Sequence, residues 1–105
     1  MDFNSYQDLA SKTNQYPKDN MLECLVFGLC SEAGEVAGKL KKKHRGDKFE
    51  DFNEDLILEA GDLLWYISEI CRELGFNLDY CAVSNLEKLT DRHKRGQIKG
   101  NGDKR

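Results

Sequence analysis

Two stretches of the sequence decide the fold: GLCSEAGEVAGKLKK at residues 28–42 and LEAGDLLWY at residues 58–66. In both, apolar residues recur every three or four positions, the spacing of one face of an α-helix. The apolar face extends beyond each stretch and comprises Leu22, Leu25, Leu29, Val36 and Leu40 in the first helix, and Leu56, Ala60, Leu63, Ile67, Ile70 and Leu74 in the second. No segment alternates as a strand does, so the sequence predicts an all-α fold.

Capping and helix-breaking residues divide the chain into helical segments. We expect helices from Asn4 or Ser5 to Gln15, from Met21 (after an Asp19-Asn20 cap) to about His44, from just after Asn53 to Gly75, and from an Asn77 or Asp79 cap to about Arg95. Short connections are typical of a bundle, so residues 1–95 are predicted to form one domain of the four-helix-bundle type. Residues 96–105, rich in Gly and Lys, form a flexible C-terminal tail that either closes over a bound ligand as a lid or is a disordered terminus.

Composition limits the protein to a small globular domain. The chain has 105 residues, of which 39% are hydrophobic and 33% charged, which excludes a disordered protein. A domain of this size buries only about two-thirds of the surface of its unfolded chain, so we expect a homo-oligomer. The four cysteines form no C-x-x-C pair, and no signal peptide or membrane-spanning run is present. The predicted location is therefore the cytoplasm.

Charge is distributed unevenly along the chain. The net charge is −3, yet the segment from Arg92 to Arg105 holds six Lys or Arg residues and one Asp. A basic end suits a polyanionic partner, but no recognition helix or RNA-binding motif accompanies it. Binding of nucleic acid is therefore not expected.

Four acidic residues lie beside the apolar faces of the two central helices. Glu32 and Glu35 are three positions apart on one helix, and Glu59 and Asp62 repeat that spacing on the next. Side chains at this spacing are neighbours on a helix surface. If the two helices face each other there, four carboxylates converge, and a hard divalent cation such as Mg²⁺ would relieve their repulsion.

The same pairs also occur on ordinary solvated helix faces, so a metal site and a plain polar surface are both open from this pattern. Gly34 and Gly61 stand next to Glu35 and Asp62. Glycine inside a helix is less stable than alanine by about 1 kcal/mol. We therefore expect close helix approach or room for a ligand at these two positions, which favours the metal site.

With these residues the chain resembles the MazG-type nucleoside triphosphate pyrophosphohydrolases, whose signature is E-x-x-E, a variable spacer and E-x-x-D. The match lies in Glu32/Glu35 and Glu59/Asp62, and it continues through NLEKLTDR at residues 85–92 and the tail from Arg95 onwards. The resemblance covers essentially the whole chain and shows no departure at the four acids.

The resemblance implies hydrolysis of a nucleoside or deoxynucleoside triphosphate between its α- and β-phosphates, releasing a monophosphate and pyrophosphate. It implies Mg²⁺, with Mn²⁺ as a substitute, held by Glu32, Glu35, Glu59 and Asp62. Glu35, and after it Glu32, would orient or deprotonate the attacking water. It also implies a homodimer or homotetramer with the active site near a subunit boundary, and a role in cleansing or controlling nucleotide pools.

Cationic and polar residues are predicted to bind the substrate. Lys39 lies on the acidic side of its helix, and Asn85, Lys88 and Arg92 lie one turn apart on the last helix, followed by Arg95. Arginine grips phosphate in a bidentate manner, whereas lysine acts as a point charge. The alternative for Lys88 and Arg92 is a solvated helix end that complements the helix dipole.

Trp65 is predicted to lie opposite the apolar face of its helix. Such a residue packs in a subunit interface, the favoured interpretation, or stacks on a substrate base.

Besides the enzyme, a second class of function stays open: a regulatory helical module that binds nucleotide or metal without turnover. A nucleic-acid-binding protein that uses the basic tail is the third.

Overall fold

The computed structural model describes residues 1–105 and contains four α-helices and no strand. The helices are α1 (Phe3–Ser11), α2 (Met21–His44), α3 (Phe52–Glu73) and α4 (Leu78–Lys94). The all-α prediction is confirmed, and α2 and α4 follow the predicted bounds closely. No helix is long and apolar enough to cross a membrane.

The first helix is shorter than predicted, because the carbonyl of Ala10 is used by groups outside the helix. It accepts hydrogen bonds from the Thr13 hydroxyl at 2.7 Å and from Trp65 Nε1 at 3.2 Å. Helix α1 therefore ends at Ser11 rather than Gln15. Local sequence could not predict this earlier end, since the Trp65 donor lies 55 positions away along the chain.

Two predicted helix starts also need correction. Helix α3 begins at Phe52, before Asn53, because the Asp51 side chain accepts a hydrogen bond from the backbone N–H of Glu54 at 3.0 Å. Asn20 does precede α2, but its backbone is left-handed (φ 62°) and its side chain makes no capping hydrogen bond. At α4 the predicted Asn77 cap is confirmed, with Tyr80 N donating to Asn77 Oδ1 at 2.7 Å.

Helices α2 and α3 form an antiparallel hairpin. Along α2, Gly28 lies against Tyr66, Lys39 pairs with Glu59, and Lys43 packs over the Phe52 ring. Partners that come later in α2 thus come earlier in α3, as an antiparallel arrangement requires. This register sets the acidic residues of the two helices opposite one another.

The close approach in this hairpin occurs at Gly28, not at the predicted glycines. A Cβ built at Gly28 would overlap the Tyr66 ring, whereas a Cβ at Gly34 or Gly61 would meet nothing within 4 Å. Close helix packing is therefore the wrong explanation for Gly34 and Gly61, and open space around them agrees with the other expectation.

The four helices of one chain do not close into a bundle. Gly75 (φ +85°) ends α3 in a Schellman turn, with Phe76 N donating to Cys71 O at 2.9 Å. From this turn α4 packs on α1 and α3, but its backbone does not approach α2, which packs on α3 alone. The four predicted helices are therefore present, but one chain does not pack all of them around a common core.

The buried centre is more polar than predicted. Gln7 is buried, and its Nε2 donates to the carbonyls of Ser68 (3.1 Å) and Phe76 (3.2 Å), while its Oε1 accepts from Leu78 N at 3.1 Å. The residues of α3 that are buried are Ser68, Glu69 and Cys71. The predicted apolar face of α3 is partly open to solvent, since Ile67 and Leu74 are 38% and 54% exposed.

Candidate functional site

Three of the four predicted metal ligands converge between α2 and α3. Glu32 from α2 and Glu59 and Asp62 from α3 each place one carboxylate oxygen within 4.8 Å of the other two. We call these three residues the acidic cluster. Three carboxylates this close repel one another, and oxygen donors are those that hard divalent cations take. The donor set therefore fits Mg²⁺ or Mn²⁺ better than a soft metal, for which no Cys or His is present in the cluster.

The electrostatics of the cluster agree with its geometry. Burial raises the pKa of Glu32, and the neighbouring charge of Asp62 and the hydrogen bond and charge of Glu59 raise it further. Lys39 partly offsets this negative charge, because its Nζ lies 3.6 Å from Glu59 Oε1. The predicted cation Lys39 thus lies beside the acidic cluster.

Glu35, the fourth predicted ligand, lies at the edge of the cluster. Its side chain is exposed and its carboxylate is not one of the three that converge. Its charge nevertheless raises the pKa of Glu32, although less than those of Asp62 and Glu59. Glu35 is therefore near enough to act on the cluster and free of a protein partner.

An aromatic wall stands beside the acidic cluster. A cavity of about 300 Å³, which we call the acidic cavity, is lined by Thr13, Glu32, Asp62, Trp65 and Tyr66. The Tyr66 hydroxyl lies 2.7 Å from that of Tyr16. This hydrogen bond, followed by burial and by nearby negative charge, raises the pKa of Tyr66 to about 12. Tyr66 is therefore uncharged at neutral pH and can donate a hydrogen bond.

Trp65 is half-buried within its own chain. Its indole N–H bonds to Thr13 Oγ1 at 2.8 Å and to the carbonyl of Ala10, and its ring packs edge-on against Tyr66. Trp65 is thus only partly exposed in one chain, because the turn after α1 contacts its indole. Its place in the acidic cavity fits the other interpretation, contact with a substrate.

The predicted substrate contacts on α4 do not reach the acidic cavity in this structure. Lys88 Nζ lies 3.1 Å from Asp103 Oδ1, and the Arg92 guanidinium contacts both the carboxylate (3.5 Å) and the carbonyl of Asp103. Arg95 binds Asp91 at 2.8 Å. The fourth, Asn85, is exposed. The C-terminal tail, residues 96–105, thus lies on the cationic face of α4.

Glu69 is a polar residue of α3 that the sequence analysis missed. It is 2% exposed, accepts a hydrogen bond from Asn14 Nδ2 at 3.1 Å, and its second carboxylate oxygen has no partner. One signal could have found it: Asp62, Tyr66 and Glu69 follow a four-then-three spacing, which continues the acidic side of α3 by two turns.

Comparisons with known proteins bear on this site. Residues 21–97 match a protein family described as "MazG nucleotide pyrophosphohydrolase domain", and this range includes all four predicted ligands. The chain is also similar to the "Gene 37 protein" of Mycobacterium phage L5, with 38% identity over 109 aligned residues, which cover 95% of this chain and 96% of that protein. No solved structure matches.

Proposed function

Because this chain belongs to the MazG nucleotide pyrophosphohydrolase family, we propose that it hydrolyses a nucleoside or deoxynucleoside triphosphate between the α- and β-phosphates. The products are the monophosphate and pyrophosphate, and the role is cleansing or control of nucleotide pools. One observation carries the proposal: three carboxylates from two helices lie within 4.8 Å of one another, and two of them, those of Glu32 and Asp62, line an open cavity.

The residues of the cluster are suited to hold the cofactor, Mg²⁺, which Mn²⁺ can replace. Glu32, Glu59 and Asp62 supply the ligand oxygens, and Glu35, one helical turn from Glu32, is near enough to complete the set. When bound, the metal neutralises phosphate charge and lowers the pKa of water. Glu35 is the first choice for the proton acceptor, since it is exposed and lies outside the cluster; Glu32, with its raised pKa, is the second.

Cationic side chains hold the phosphates in this proposal. Lys39 is already at the cluster through Glu59. Lys88 and Arg92 bind Asp103 in the structure, so a phosphate reaches them only after it displaces this carboxylate. In this proposal the tail competes with the phosphates for these cations, and only the displaced tail would be free to close over the ligand as a lid. Arg95, at the C-terminal end of α4, and Asn85, near its middle, would extend the contact.

We also propose that the active form is a homodimer or homotetramer. The radius of gyration is 16.5 Å, whereas a compact chain of this length has about 13 Å. The accessible surface is 7995 Å², against about 6,000 Å² for an ordinary monomer of this mass. The excess is apolar in part, since Phe27 on α2, Ile57 and Leu58 on α3 and Leu86 on α4 are all more than 60% exposed. A second copy that covers these residues would complete the bundle that one chain leaves open.

A screen of triphosphates tests the proposal. The intact protein is incubated with Mg²⁺ and each standard or modified triphosphate, and pyrophosphate release is followed with a coupled assay. We expect release with at least one substrate, loss of turnover in Glu59→Gln and Glu35→Gln, and circular dichroism like that of the wild type. Nucleotide binding without turnover would identify the non-catalytic regulatory module instead.

A further inference from the structure

A second cavity has the buried residue Glu69 in its wall, on the same helix as Asp62 of the acidic cavity. This cavity, which we call the Glu69 cavity, measures about 340 Å³ and is lined by Asn14, Tyr16, Glu69 and Arg72 together with five other residues. Oε1 of Glu69 accepts a hydrogen bond from Asn14 Nδ2, but Oε2 is buried without any partner. Arg72 and Lys18 line the same cavity, yet neither forms an ion pair with Glu69.

A buried carboxylate oxygen without a partner is energetically unfavourable, because it has lost the hydrogen bonds that water gave it. Glu69 is 2% exposed and lies on the wall of a cavity large enough for a ring system. A ligand that brings N–H donors to Oε2 would restore the missing hydrogen bonds. This is the chemistry of a nucleobase edge.

The position of Glu69 relative to the acidic cluster fits this interpretation. Asp62 and Glu69 are seven positions apart, so they share one face of α3 and are separated by about 10 Å along the helix axis. Between them the hydroxyls of Tyr66, on the wall of the acidic cavity, and Tyr16, on the wall of the Glu69 cavity, are hydrogen-bonded. A triphosphate whose phosphates sit at the acidic cluster would extend its nucleoside along this face toward Glu69.

We propose that Glu69 selects the base of the substrate, and that it accepts nucleotides whose base carries an exocyclic amino group. This inference rests on the function proposed above. A carboxylate only accepts hydrogen bonds. Adenine and cytosine each present one amino group to it, and guanine presents two parallel N–H donors, the best match for a carboxylate. Thymine and uracil present carbonyl oxygens on both sides of their single N–H, and these oxygens repel the carboxylate.

The test compares kcat/KM for dGTP, dATP, dCTP and dTTP in the wild type and in Glu69→Gln, with Mg²⁺. A site built to receive N–H groups discriminates strongly against bases without them, so wild-type kcat/KM should be at least about 10-fold higher for dGTP than for dTTP. In Glu69→Gln the amide nitrogen would face the base donors. The value for dGTP should then fall by about 10- to 100-fold, chiefly through KM, while that for dTTP stays within about 3-fold.

Two controls keep the result interpretable. Glu54→Gln removes the same charge from an exposed position in the first turn of α3 and should leave the substrate preference unchanged. If Glu69→Gln does not fold, kcat/KM of the wild type is compared for dGTP and dITP, since dITP lacks only the 2-amino group of dGTP. Its kcat/KM should be lower than that of dGTP by about 10-fold, the loss of one hydrogen bond to a charged group.

Three outcomes are against the inference. Equal use of dGTP, dITP and dTTP by the wild type would overturn it, and so would a Glu69→Gln variant that loses activity equally toward every base; in both cases the proposed function stands. If the wild type hydrolyses no triphosphate at all, the proposed function fails first and the base selection fails with it.

Discussion

Replacing Asp62 by Asn should have opposite effects on stability with and without metal. In the metal-free protein the carboxylates of Glu32, Glu59 and Asp62 lie within 4.8 Å of one another. Two unit charges at this distance repel by about 1 kcal/mol in water, and Asp62 takes part in two such pairs. Because Asp62 is exposed, we expect solvent to reduce the total, so Asp62→Asn should raise the free energy of unfolding by about 1 kcal/mol.

With bound metal, the wild type should be more stable than the Asp62→Asn variant. A ligand that binds only the folded state at a hundred times its dissociation constant stabilises a protein by about 2.7 kcal/mol. The wild type should gain this amount with saturating Mg²⁺ or Mn²⁺. The variant keeps two of the three clustered carboxylates and should gain much less, so the wild type becomes the more stable protein.

Thermal unfolding by circular dichroism measures both effects. For a domain of this size 1 kcal/mol corresponds to about 4–8 °C in Tm, so Asp62→Asn should melt higher than the wild type in EDTA and lower in Mg²⁺. The difference in EDTA should shrink in high salt, which screens the repulsion. Asp8→Asn, an exposed change on α1, is the matched control. A variant that is less stable than the wild type in EDTA, or that responds equally to metal, would refute the reasoning.

Three other predictions follow from single contacts. Gly28→Ala should lower the free energy of unfolding by about 1 kcal/mol, because overlap with the Tyr66 ring outweighs the gain in helix propensity. In a Tyr66→Ala background the same substitution should instead stabilise the protein, as measured by denaturant unfolding. If Gly28→Ala destabilises both backgrounds, the contact with Tyr66 is not the cause. Burial raises the pKa of Cys71 to about 11, so about one in a thousand of its thiols is ionised at pH 8. Mass spectrometry should therefore find Cys71 alkylated by iodoacetamide hundreds of times more slowly than an ordinary thiol. Rapid labelling of Cys71 in the native protein would exclude this burial. Asp103→Asn should lower KM for the triphosphate several-fold, because it removes the carboxylate that is bound to the Arg92 guanidinium. An unchanged or higher KM would show that the tail does not compete with the substrate.

The sequence was sufficient for the number of helices and for three of the four clustered acids, because both depend on local spacing. Glu32, Glu59 and Asp62 stand on the predicted side of their helices, and a hairpin between those helices is enough to bring them together. Periodicity could not give the register of that hairpin. The structure sets it where the missing side chain of Gly28 admits the Tyr66 ring, a contact between residues far apart in the chain.

Other features escaped prediction because they depend on which surface covers a residue. Glu69 looks like an ordinary helical glutamate in the sequence, but in the fold it is buried and bonded to Asn14, a residue 55 positions away along the chain. Ile67 belongs to the predicted apolar face of α3 but stays 38% exposed, and periodicity alone does not say which part of such a face is covered. Contacts of the tail with α4 could not be inferred either, because glycines leave its path undetermined.

The reaction proposed for the acidic cluster is metal-dependent cleavage of a triphosphate between its α- and β-phosphates. Phosphorus NMR of a triphosphate incubated with the intact protein and Mg²⁺ tests it most directly, since it identifies the products. We predict monophosphate and pyrophosphate in equal amounts, arrest by EDTA, recovery with excess Mg²⁺ and no turnover in Glu59→Gln. Orthophosphate with a diphosphate, turnover that persists in EDTA, or an unreacted triphosphate would contradict the account.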